Sequence, residues 1–107
     1  MILLRAKQRL DRLDLYPRPV RVEHVRLVVV PALFRLPWFR RFDAYATQLV
    51  IACRSGAAAG DEDLVTHELC HVWQMQHHPV RMPLSYLRGY GQNRYELEAR
   101  RAAADTA

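Results

Sequence analysis

Between Asp61 and Pro79 the chain can be little other than one long helix, and the rest must fold around it. Asp61 or Asp63 can accept from the free first-turn amides of a helix starting near residue 62. Leu64, Leu69, Val72, Trp73 and Met75 recur at helical intervals, and Pro79 cannot continue the ladder. A helix with that many large apolar side chains needs neighbours to cover it. The whole chain has 107 residues, so residues 1–107 are read as a single domain with one modest core.

The flanking segments supply candidate neighbours. Leu3, Ala6, Leu10 and Leu13 alternate with Arg5, Arg9 and Arg12 over residues 2–14, the pattern of an amphipathic helix. Tyr16-Pro17-Arg18-Pro19 ends it. Residues 20–30 are β-branched and partly alternating, which predicts a strand closed by Pro31, and residues 46–54 predict a second. Between them, residues 33–42 are aromatic and basic without a clean period, a loop or short helix that covers the core. Gly56 to Gly60 predict a turn. Pro79, Pro83, Gly89 and Gly91 mark a linker with a short helix around Leu84–Leu87, and a last helix runs from Asn93 to about Ala104. The order predicts an α+β fold with an N-terminal helix, a small antiparallel sheet and two further helices.

The central helix carries His67-Glu68-Leu69-Cys70-His71. Positions four apart on a helix lie one above the other, so the two imidazoles face the same way, about 6 Å apart, and can bind one zinc ion. Glu68 lies about 100° around the helix from His67, so it misses the metal but can reach a water held there. Zinc lowers the pKa of such a water toward roughly 7, and the carboxylate can take its proton as a carbonyl is attacked. This is the physical content of the HExxH pattern.

A catalytic zinc needs a third protein ligand and an open fourth position. His77 has the spacing of a third histidine in HExxHxxGxxH, but the middle position is Gln74 rather than the glycine that would break the helix. On a continuing helix His77 points roughly 80° away from His67, and His78 lies about 10 Å beyond His71. Both read as polar helix-end residues. Glu96 and Glu98 on the last helix are the other candidates, and about 200° separates them, so only one can face the metal. Each also has a structural reading: Glu96 in a capping box with Asn93, Glu98 in a surface pair with Arg94 or Arg101. Ala99, three residues after Glu96, favours Glu96 because it permits close helix packing.

The run His67-Glu68-Leu69-Cys70-His71-Val72-Trp73-Gln74, followed by Asn93-Arg94-Tyr95-Glu96-Leu97-Glu98-Ala99, resembles the gluzincin zinc metallopeptidases, above all the small bacterial minimal gluzincins. The resemblance covers roughly the C-terminal 60 residues, from Thr47 onward. It implies a minimal zincin-like fold, His67, His71 and Glu96 as ligands of Zn2+, and Glu68 as general base. It also implies that 48–53 is an edge strand, with Leu49, Val50, Ile51 and Ala52 pairing with an extended peptide. Cys70 departs from the usual small polar residue or glycine. A separate C-terminal subdomain that would supply oxyanion donors is also missing, which leaves Tyr86, Tyr90, Tyr95, His77 and His78 as candidate substitutes.

Charge adds a weaker constraint. The formal net charge is +5, and all but Lys7 of the 16 basic residues are arginine. They are spread along the chain rather than gathered on one element, so a nucleic-acid partner acting through Trp38, Phe39 and Phe42 is the less favoured reading. Arg5, Lys7 and Arg9 interrupt the apolar start, so no signal peptide or membrane span is expected. Cys53 and Cys70 form no metal knuckle or disulfide framework, consistent with a reduced, cytoplasmic chain. The expected partner is a peptide or unfolded segment. A catalytically silent zinc-binding module of the same fold is the alternative.

Overall fold

The computed structural model describes residues 2–88 and 93–107. Helix α1 (Ile2–Leu10) is followed by strand β1 (Arg26–Val29), a 3₁₀ turn (Pro31–Arg35), strands β2 (Ala44–Ala46) and β3 (Val50–Cys53), and the short helix α2 (Gly56–Ala59). The long helix α3 (Glu62–His77), a short α4 (Arg81–Ser85) running into a 3₁₀ turn (Tyr86–Arg88), and α5 (Arg94–Asp105) complete an α+β fold. No helix among the described residues is long and apolar enough to cross a membrane.

Helix α3 is the axis of the domain. Asp61 caps it, its carboxylate accepting from the amides of Asp63 and Leu64 at 3.1 and 3.2 Å. Val65, Leu69, Cys70, Val72 and Trp73 are all buried, joined in one core by Leu3, Ala6 and Leu10 of α1, Ile51 and Cys53 of β3, and Ala99 and Ala102 of α5. α3 is therefore covered from several sides, which explains why apolar residues are not confined to one stripe of it. The alanines of α5 leave no side-chain bulk between the two helices, so α5 lies close to the histidine-bearing helix. Truncating a residue this enclosed, as in Leu69→Ala, is expected to cost about 2–5 kcal/mol.

The N-terminal segment completes this core. Arg9, buried on α1, donates to Thr106 Oγ1 (3.2 Å), to the carbonyl of Ala103 (2.7 Å) and to Glu62 (3.2 Å), and pairs with Asp63 at 2.9 Å. One guanidinium thus ties the end of α1, the first turn of α3 and the end of α5. We expect Arg9→Ala to lower stability by about 2–3 kcal/mol, because it strips the buried Ala103 carbonyl of its donor and removes the pairing with Glu62 and Asp63. Urea denaturation measures this; a change within about 0.5 kcal/mol would contradict the account.

The sheet corrects the expected topology. It is mixed: β3 lies between β1 and β2, parallel to β1 (Arg26↔Val50 to Val29↔Cys53) and antiparallel to β2 (Ala44↔Cys53 to Ala46↔Ile51). The run expected as one strand over 46–54 is split by a tight turn, in which Thr47 donates its amide to the Val50 carbonyl (2.8 Å) and accepts the Val50 amide on Oγ1 (3.1 Å). The strand expected over 20–30 shortens to Arg26–Val29, because the backbone at Arg21 bonds to the Gln76 side chain instead of a neighbouring strand (3.0 and 2.8 Å).

The expected edge strand is likewise overturned. Val50, Ile51 and Ala52 belong to the middle strand, whose backbone is engaged on both sides, and Ile51 and Ala52 are buried. Leu49 falls in the exposed turn. These four residues therefore offer no free backbone to a peptide. β2 is the edge strand on the site side of the sheet.

Residues 31–43 form the excursion between β1 and β2. Phe34 is buried while Trp38 is 67% exposed. Arg54 holds the segment: its guanidinium donates to the carbonyls of Phe42 (Nε, 2.9 Å) and Arg40, and pairs with Asp43 at 3.6 Å.

Candidate metal centre

Side by side on α3, His67 and His71 stack edge to face with ring centroids 4.9 Å apart. Asn93 caps α5, accepting from the amides of Tyr95 (2.8 Å) and Glu96 (3.3 Å), which sets the first turn of that helix beside the histidines. The carboxylate of Glu96 does not fold back on its own helix start, as a capping box would require. It bridges the two rings, with Oε1 2.9 Å from His67 Nε2 and Oε2 2.9 Å from His71 Nε2. Glu96 is 1% exposed, and Arg100 on the next turn reaches Oε1 at 3.3 Å. Ligand atoms of His67, His71 and Glu96 all lie within 4.8 Å of one another, the one group of this kind among the described residues.

The donor set suits zinc. A tetrahedral ion with bonds of about 2.1 Å holds its donors about 3.4 Å apart, so each 2.9 Å contact needs to open by only a few tenths of an ångström. Electrostatics point the same way. Burial alone would raise the carboxyl pKa of Glu96, but hydrogen bonds from His67 and His71 hold it far below the usual carboxylate range. For His71, burial opposes the charged ring, yet the Glu96 hydrogen bond and the charges of Glu68 and Glu96 raise its pKa overall. The pocket is thus an anion facing two imidazoles, a place where positive charge is stabilised.

Glu68 is buried beside the histidines and forms no hydrogen bond among the described residues. Burial pushes its pKa up to about 7, with Glu96 adding to the rise and His71 and His67 opposing it. A carboxyl whose folded pKa exceeds the unfolded 4.5 destabilises the fold as pH rises from about 4.5 to 7. The metal-free Glu68→Gln variant is therefore expected to melt several degrees above metal-free wild type near pH 8, the gap narrowing toward pH 4. Circular-dichroism melts test this; a gap that does not change with pH would contradict it.

The remaining candidates lie elsewhere. His77 donates from Nδ1 to the Trp73 carbonyl (3.2 Å) and stacks on Tyr16 at 5.0 Å. His78 caps the end of α3 near Tyr16 and Tyr95. Glu98 accepts from Tyr16 Oη at 2.5 Å and Gln74 Nε2 at 3.1 Å, away from the cluster. Cys70 is sealed in the core, and burial raises its thiol pKa strongly, so it packs rather than reacts. Tyr95 is buried with no partner for its hydroxyl among the described residues. Tyr90 lies outside the described residues. Tyr86 is the tyrosine at the cluster, with Oη 3.4 Å from His71 Nδ1 and 3.5 Å from Glu96 Oε2.

Two clefts meet over this cluster. The larger, about 730 Å³, is walled by Phe39, Tyr45 of β2, Met75, Met82, Tyr86 and Leu87, with Glu68 and His71 at its floor. The smaller, about 460 Å³, runs past His67 and Glu68 toward Asp43, Asp63 and Arg100. Arg41, Phe42, Ala44 and Glu68 line both, so a single groove passes over the cluster, apolar at one end and charged at the other. The roles of β2 and of residues 38–42 in this groove were absent from the sequence reading; Ala44-Tyr45-Ala46 is too short to show a period.

Compared with known protein families, curated proteins and solved structures, the chain matches none.

Proposed function

We propose that the chain is a zinc-dependent metallopeptidase of minimal gluzincin type, hydrolysing peptide bonds in peptides or unfolded segments. The observation that carries this reading is the convergence of His67, His71 and Glu96 within 4.8 Å, with a buried carboxyl beside them that has no hydrogen-bond partner among the described residues, on the floor of an open groove. His67 Nε2, His71 Nε2 and Glu96 would hold the metal. Zinc, when bound, supplies Lewis acidity, making water acidic near neutral pH and polarising a carbonyl.

The protein's own groups supply the rest. Glu68, with a pKa near the working pH, takes the proton of the attacking water and returns it to the departing amine. Tyr86 Oη stands where it can donate to the carbonyl oxygen as charge develops there. β2 offers an extended peptide a sheet edge to pair with, in place of the Leu49–Ala52 strand. Apolar walls from Phe39, Met75 and Met82 favour a bulky apolar side chain next to the cleaved bond. Free, buried thiols at Cys53 and Cys70 fit work in the reducing cytoplasm.

The test is incubation of the zinc-loaded protein with a quenched random-peptide library, with wild type and Glu68→Gln compared. Cleavage enriched for aromatic or large aliphatic residues, and dependent on Glu68, is expected. One observation favours the silent-module alternative: Arg100, 3.3 Å from Glu96 Oε1, draws on the charge of the third ligand. Zinc binding without cleavage by the wild type would select that alternative.

A further inference from the structure

A chain of side chains, half-buried at Tyr16 and Glu98 and buried at Gln74, runs from the N-terminal segment to one of the histidines. Tyr16, in the connection after α1, donates its hydroxyl to Glu98 Oε1 at 2.5 Å. The same oxygen accepts from Gln74 Nε2 at 3.1 Å, and Gln74 Nε2 also donates to the Tyr95 carbonyl at 2.8 Å. Two acceptors on one amide nitrogen fix which way round the Gln74 amide sits, so its oxygen is the atom turned toward His71, 2.8 Å from Nδ1. Gln74 is fully buried and has no freedom to turn away. Its Oε1 can only accept, so His71 donates to it from Nδ1, and Nε2, 2.9 Å from Glu96 Oε2, is the atom turned to the metal side of the ring.

We propose that Tyr16, Glu98 and Gln74 are positioning residues which hold the His71 ring by its Nδ1–H and so present Nε2 for coordination. The proposal deepens the metal-site reading above and takes its functional meaning from it. It gives the N-terminal segment a part in the site as well as in the core. It also explains why Gln74 occupies a position where a glycine would break the helix: the amide is needed one turn beyond His71. Tyr16 is suited to the end of the chain, because burial and the Glu98 hydrogen bond raise its pKa far above the ordinary phenol value and keep it a donor. Its ring is held independently, stacked on His77 at 5.0 Å and edge-on to Trp73 at 5.3 Å, so Tyr16→Phe removes the hydroxyl without removing the packing.

Two readouts test the proposal. Zinc affinity, by competition with a chromophoric chelator, is expected to weaken about 10–100-fold in Gln74→Leu and by a smaller factor in Tyr16→Phe. Long-range ¹H–¹⁵N spectra of the metal-free protein should show a His71 Nδ1 proton held against exchange with water in wild type and exchanging much faster in Gln74→Leu. If Gln74→Leu does not fold, Tyr16→Phe carries both readouts. Variants that bind zinc as tightly as wild type, or keep the Nδ1 proton equally protected, would overturn the proposal, as would a wild-type ring without a proton on Nδ1. A wild type that binds no zinc would defeat the metal reading, while an Nδ1 proton that loses its protection with Gln74 would still uphold the positioning chain.

Discussion

Glu68→Gln is expected to reduce peptide hydrolysis by roughly a hundred- to ten-thousand-fold while zinc stays bound. The amide has the size of the carboxyl but cannot take a proton from water. Because Glu68 makes no hydrogen bond or ion pair with Glu96, His67 or His71, its replacement should leave the donor set intact. The fold should not suffer either, since Glu68 is a carboxyl whose pKa is already pushed up to about 7 by burial. Loss of activity with retained zinc and an equal or higher melting temperature is therefore the expected signature. Unchanged turnover in this variant would remove Glu68 from the mechanism.

The second large effect is on the metal. Glu96→Ala is expected to weaken zinc binding more than about 100-fold, beyond what the loss of an outer hydrogen-bonding partner costs. It removes a ligand, and it leaves His67, His71 and Arg100 facing one another without the anion that joins them. Glu98→Ala keeps all three donor atoms and loses only the anchor of Gln74, so its loss should be smaller. Parallel zinc titrations of the two variants separate the roles: equal affinities, or a larger loss for Glu98→Ala, would reverse the assignment.

How much of this the sequence carried differs by element. The caps of α3 and α5 were legible because Asp61 and Asn93 act on amides two or three residues away. The pairing of His67 with His71 was legible for the same reason, since helix geometry fixes it locally. The choice between Glu96 and Glu98 was narrowed by Ala99 but could not be derived from spacing. It depends on how α5 is rotated against α3, and Tyr16, Gln74 and the buried alanines together set that rotation.

The sheet was the least legible part. Whether β1 and β3 run parallel depends on where the chain returns after residues 31–43, and no local pattern encodes that. β2 is three residues long, and the turn at Thr47 sits inside a run whose β-branched and apolar residues read as one continuous strand. The edge over 48–53, which the resemblance implied, falls on the middle strand instead. Gln74 shows a similar limit: its helix propensity was readable, but its partners Tyr95 and Glu98 lie on a different helix.

The central claim is a zinc ion held by two imidazoles and one carboxylate. X-ray absorption spectroscopy of the protein reconstituted with one equivalent of zinc tests it most directly. The account predicts tight one-to-one binding and a first shell of nitrogen and oxygen at about 2.0–2.1 Å, with two histidine scattering patterns and no sulfur. A sulfur shell near 2.3 Å, or zinc that does not bind stoichiometrically, would contradict it.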